Sequence, residues 1–119
     1  MGKILIVEDD EIIRSLFKKI LIENGYEVIE ATDGEEALRL YEEVEEKPDL
    51  IILDHLMPRK SGLEVTQELL QRYSHKNFLI ITGYPDVDLS CFPGETIRLK
   101  LKPVSADEFL SEIQNMVET

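Results

Sequence analysis

Five short apolar runs, each closed by a polar or charged residue, alternate with stretches whose apolar side chains recur at helical spacing. The first run is Lys3–Val7 (KILIV), closed by Glu8-Asp9-Asp10. The others are 26–31 (YEVIEA), 50–53 (LIIL, closed by Asp54), 78–81 (FLII, closed by Thr82) and Ile97–Leu101 (IRLKL, closed by Lys102-Pro103). Short β-branched runs of this kind fit strands buried on both faces of a sheet. Ile13, Leu16, Phe17, Ile20 and Leu21 mark a first helix, stopped by Asn24-Gly25. Ala37, Leu38, Tyr41 and Val44 mark a second after the Asp33-Gly34 turn, and Thr66, Leu69, Leu70 and Tyr73 mark a third. Phe109, Leu110, Ile113, Met116 and Val117 form the stripe of a closing helix, with Ser105 or Asp107 as its N-cap. Strands that alternate with helices pair in parallel beneath helices on both faces. Right-handed crossovers then favour an α/β, doubly wound, five-stranded parallel sheet in the order 2-1-3-4-5.

One stretch departs from this regularity. Residues 83–96 contain Pro85, Pro93 and Gly94, which confine a fourth helix to about 86–92 and predict it short or irregular. The 119 residues suit one domain, and no repeat or linker divides them. The expectation is a single domain over 1–119 with no output domain attached. Apolar residues make up 43%, enough for a core without staples. Cys91 has no partner, which excludes a disulfide framework or a Cys-rich zinc site and suits the cytoplasm. The apolar run near the N-terminus is too short for a signal peptide or a membrane span, and Ile6 breaks the myristoylation pattern after Gly2. Thirteen basic and 25 acidic residues give a net charge of −12. That balance predicts no nucleic-acid partner and no membrane insertion.

The informative acids are those at strand ends. In an open parallel sheet, ligands bind outside the carboxyl ends of the strands where the strand order reverses, here between strands 1 and 3. Glu8, Asp9 and Asp54 close those two strands, while Thr82 and Lys102 close strands 4 and 5. Three neighbouring carboxylates repel, and a hard divalent cation with oxygen preference relieves this; Mg²⁺ fits, with Mn²⁺ as an alternative. A carboxylate can attack phosphorus to give an acyl phosphate, and a metal, an ammonium and a hydroxyl can neutralise the phosphoryl oxygens. Gly83 has no side chain to block such a group and offers a backbone N–H.

ILIVEDD, ATDGEEAL, PDLIILDHLMPRKSG, IITG and Lys102-Pro103, in this order and spacing, resemble the receiver domain of bacterial two-component response regulators. The resemblance covers essentially the whole chain and implies a flavodoxin-like receiver fold. It implies that Asp54 accepts a phosphoryl group from a phosphohistidine, on a histidine kinase or a histidine phosphotransfer protein, and signals to a downstream protein. Glu8, Asp9, Asp54 and the backbone carbonyl of Leu56 would hold Mg²⁺. Thr82 and Gly83 would bind the phosphoryl group, Lys102 would pair with it, and Lys102-Pro103 would be a cis bond. No catalytic turnover is implied beyond self-phosphorylation and self-dephosphorylation.

Plainer roles compete at several positions. Asp10 reads first as the cap of the adjacent helix. His55 follows Asp54, but strand alternation points it the other way. His75 reads as a loop residue and Cys91 as packing. Two departures from the family stand out: the irregular stretch between Thr82 and Lys102, which alters the usual output face, and Leu99. Leu99 occupies a position three before the lysine where many receivers carry an aromatic switch residue. Leu56, two residues after Asp54, cannot orient a water by hydrogen bonding, and Tyr84, two after Thr82, would shield the phosphoryl group; together they predict a long-lived acyl phosphate. Two other readings differ in class. A dehalogenase-type phosphohydrolase would need a second aspartate at Leu56. A degenerate receiver would bind partners without phosphorylation.

Overall fold

The computed structural model describes residues 2–55, 60–73, 77–83, 89 and 97–117. Its elements follow the order β1 (Lys3–Val7), α1 (Glu11–Glu23), β2 (Glu27–Ala31), α2 (Gly34–Glu43), β3 (Leu50–Asp54), α3 (Gly62–Tyr73), β4 (Phe78–Thr82), β5 (Ile97–Leu101) and α4 (Ala106–Val117). All neighbouring strands pair in parallel, in the order β2-β1-β3-β4-β5. This is the doubly wound sheet expected from the alternation of runs. The expected helix within 83–96, like Leu56, Met57-Pro58, His75, Tyr84 and Cys91, lies outside the described residues.

Residue parity divides the sheet into two cores. Leu5, Val7, Ile51, Leu53, Phe78 and Ile80 pack with Ala37, Leu38, Tyr41, Val65 and Leu69 of α2 and α3. Their chain neighbours Ile4, Ile6, Leu50, Ile52, Leu79 and Ile81 pack on the other face with Phe17 and Leu21 of α1 and Phe109 and Ile113 of α4. Successive strand residues point to opposite faces, so a strand buried on both sides must be apolar throughout. Phe17 and Phe109 stack at 4.3 Å between ring centroids, fastening α1 to α4.

Caps set where each helix begins. Asp10 Oδ1 accepts the N–H groups of Ile12 and Ile13, so its capping role is the observed one. Asp33 Oδ1 accepts from Glu36 N–H, and Glu36 in return accepts from Thr32 N–H. Ser61 with Glu64, and Ser105 with Glu108, form reciprocal capping boxes, so Ser105 rather than Asp107 caps the closing helix. One boundary differs from expectation: Tyr26 is not in β2. Gly25, at φ 89°, donates to the Ile22 carbonyl, and Tyr26 donates to the Leu21 carbonyl. This Schellman closure of α1 uses the Tyr26 N–H, and the strand starts one residue later.

Candidate functional site

The parity that builds the core also aims the polar residues that follow it. Glu8 continues the even-numbered register of Ile4 and Ile6, and Asp54 that of Leu50 and Ile52, so both face the α1/α4 side at the strand ends. Lys102 follows β5, whose Arg98 and Lys100 face α4 through Glu112, and it continues their register. One carboxylate oxygen each from Glu8, Asp9 and Asp54 lie within 4.8 Å of one another. Lys102 Nζ sits 3.3 Å from Asp54 Oδ2 and 3.6 Å from Glu8 Oε1. The cis Lys102-Pro103 bond directly follows this contact.

Burial makes this arrangement tense. The Glu8 side chain is only 3% exposed and Asp54 12%, against 30% for Lys102. Burial foremost, and the Asp54 carboxylate after it, push the Glu8 carboxyl up to about 7. One ammonium shared between two buried carboxylates leaves negative charge uncompensated. Three carboxylate oxygens converging on one point are the hard donor set that Mg²⁺ takes, and their charge supplies the attraction. The residues present therefore fit such an ion.

Thr82 ends β4 just after Ile81, the register partner of Asp54, and is fully buried. Among the described residues, a methyl group built on Gly83 would meet nothing within 4 Å, so none of them requires a glycine there. Leu99 is partly buried and packs on the α2/α3 core together with Leu89. Gly62 needs to be glycine: an added methyl would lie 2.5 Å from the Asp54 carbonyl oxygen. Its N–H donates to the His55 carbonyl at 2.9 Å, so α3 starts against the backbone of Asp54 itself. His55 has a buried Nδ1 with no hydrogen-bond partner among the described residues. Sequence reasoning missed the role of Gly62, although a glycine opening a helix just beyond a strand-end acid was the available signal.

The family model described as response regulator receiver domain matches residues 4–114. The chain belongs to that family, the phosphoacceptor signalling domain of two-component response regulators. It is 36% identical over 110 residues to the transcriptional regulatory protein CpxR of Escherichia coli, covering 92% of this chain and 42% of CpxR. To the PhoP regulator of alkaline phosphatase synthesis in Bacillus subtilis it is 46% identical over 81 residues, 68% of this chain and 33% of PhoP. The chain thus spans about a third to a half of the length of the curated relatives it matches. Among solved structures, the response regulator TrrA of Thermotoga maritima in complex with Mg²⁺-BeF superposes with a TM-score of 0.82 at 35% identity, covering 98% of this chain and 99% of TrrA. A receiver domain from Clostridium thermocellum gives 0.87 at 30% identity, covering 99% and 95%. Receiver domains of this type bind Mg²⁺ at an acidic site and interact with histidine kinases and phosphotransfer proteins. No described helix is long and apolar enough to cross a membrane.

Proposed function

We propose that Asp54 is the phosphorylated residue and that the donor is a phosphohistidine on a histidine kinase or histidine phosphotransfer protein. The observation that carries this reading is the placement of Lys102 Nζ between Asp54 Oδ2 and Glu8 Oε1, beside three convergent carboxylates. Glu8, Asp9 and Asp54 would hold Mg²⁺ or Mn²⁺, joined by the backbone carbonyl of Leu56. When bound, the ion offsets charge on the transferring phosphoryl oxygens. An Asp54 oxygen attacks phosphorus as the P–N bond to the donor imidazole breaks, and that nitrogen keeps the bonding pair. Lys102 neutralises one phosphoryl oxygen, and Thr82 and the Gly83 N–H receive the others. The product is an acyl phosphate on Asp54, hydrolysed slowly because Leu56 has no group to orient water and Tyr84 shields the phosphoryl group. The acidic surface fits a cytoplasmic protein that signals through protein contacts rather than nucleic acid.

The surface beside the site supports a protein donor. Ile12 and Leu16 on α1 are 81% and 54% exposed. A cleft of about 450 Å³, lined by Leu16, Phe17, Ile81, Pro103 and Lys102 among others, opens next to them. Lys102 lines both the cleft and the acidic site, so a protein seated there has direct access to Asp54.

The test is incubation with Mg²⁺ and acetyl phosphate followed by intact-mass measurement, with Asp54→Asn as control. One stable phosphoryl adduct in the wild type alone is expected. Repeated phosphate release without an adduct would mark a phosphohydrolase, and no adduct would mark a degenerate receiver. Leu16→Asp is expected to slow transfer from a phosphohistidine donor more than transfer from acetyl phosphate.

A further inference from the structure

Behind the acidic pair lies Arg14, which has no place in the constellation described so far. It sits on α1 with its side chain only 14% exposed. Its Nη1 donates to the carbonyl oxygen of Glu8 at 2.9 Å, and its Nε donates to Glu30 Oε1 at 3.3 Å. Its backbone N–H donates to the carbonyl oxygen of Asp10 at 2.9 Å. That last bond is the first turn of α1 and does not depend on the side chain, so the guanidinium's own hold on the turn is the Glu8 carbonyl. Glu8 Oε2 adds a contact within the turn by accepting from Asp10 N–H at 3.3 Å.

Glu30 fixes the guanidinium in turn. It lies in β2 and also accepts from Lys18 Nζ at 2.8 Å. The Lys18 ammonium foremost, with the Arg14 guanidinium, holds the Glu30 carboxyl below its usual range. Glu30 is thus a stable anion that orients Arg14 and offsets its charge.

We infer that Arg14 is a positioning residue for the divalent-cation site: by holding the Glu8 carbonyl it sets the direction in which the Glu8 and Asp9 carboxylates face the ion. The inference rests on the reading that Glu8, Asp9 and Asp54 bind that ion. Partners one bond removed from metal ligands commonly change affinity by orienting them. Two consequences of Arg14 oppose one another. As a cation near a cation site, it repels the ion. As a fixed hydrogen-bond donor, it arranges the ligands. Removing it strengthens binding if charge dominates and weakens binding if positioning dominates, so the sign of the change decides between them.

The experiment is calorimetric titration of Mg²⁺ into wild type, Arg14→Gln, Arg14→Lys and Asp9→Asn, with melting curves recorded without metal. Arg14→Gln is expected to bind Mg²⁺ roughly tenfold more weakly than wild type. Arg14→Lys, which keeps the charge and one donor, is expected to lie between them. Equal or tighter binding by Arg14→Gln overturns the inference. If Arg14→Gln does not fold, Arg14→Lys decides: weakening by about twofold or more with an unchanged melting temperature supports positioning, and unchanged affinity overturns it. Asp9→Asn separates the two levels, because wild-type Mg²⁺ affinity in that variant would remove the metal-site reading itself.

Discussion

At the centre of the sheet, Glu8 and Asp54 hold their charges where little solvent reaches, with side chains 3% and 12% exposed. At the β5 edge, Arg98 and Lys100 reach water at 58% and 34% and share one partner, Glu112. Both regions hold like charges next to each other, with different results. Solvent screens the edge cations, and one carboxylate, that of Glu112 at 12% exposure, serves both. The central carboxylates are poorly screened: burial foremost, and the Asp54 carboxylate after it, raise the proton affinity of Glu8, and the cluster favours a cation. The sheet thus gathers its least exposed carboxylates at the ends of the middle strands. Its edge carries Leu99, packed inward, and Leu101, 45% exposed. Many receivers carry an aromatic residue near that edge, whereas this chain has the aliphatic Leu99.

The sharpest break of this comparison is Asp54→Asn, expected to abolish the phosphoryl adduct seen by intact mass, whereas Lys100→Gln leaves it. Next is stability in denaturant. Leu53→Ala, on the central strand and fully buried, is expected to cost about 3 kcal/mol, and Leu101→Ala under about 1 kcal/mol. Similar losses would mean that the edge is as tightly built as the centre. Lys102→Ala is expected to slow phosphorylation by acetyl phosphate by about 10²-fold while the fold persists, as judged by circular dichroism.

A smaller effect follows from Glu8. Its carboxyl, raised from 4.5 to about 7, keeps a proton in the folded state that the unfolded chain has released between those values. The folded state binds more protons there, so this group's stabilisation is present below pH 4.5 and is lost as pH rises toward 7. The metal-free protein is expected to lose on the order of 1–3 kcal/mol across that window relative to Glu8→Gln. Saturating Mg²⁺ should flatten the difference by favouring the ionised form. Melting curves at several pH values, with and without Mg²⁺, check both. The smallest effect belongs to the edge: Glu112→Gln is expected to cost about 0.5 kcal/mol, less at high salt.

Much of this was legible before any coordinates. The apolar runs 50–53 and 78–81 lie within β3 and β4, because a strand buried on both faces leaves a continuous hydrophobic signature. Asp10 and Ser105 were visible as caps, because capping is a contact between residues two or three apart. Tyr26 was misplaced because the same residue can extend a strand or close a helix, and local pattern does not rank the two. Arg14 gave no signal, since its partners Glu8 and Glu30 meet it only once β1, α1 and β2 are packed. Gly62 was passed over because its neighbour is a backbone carbonyl, which no side-chain pattern records.

Periodicity and punctuation in the sequence therefore determined the element order, the two-faced core and the acids at the strand ends. Tertiary structure decided which of those acids are buried, that Lys102 bridges Asp54 and Glu8 across 48 and 94 positions of chain, and that Arg14 braces the turn from Glu8 to Asp10. The physical reason is range. Hydrophobic periodicity reports a residue's own face of its own element, whereas burial, and with it the raised proton affinity of Glu8, depends on everything the finished sheet brings around it.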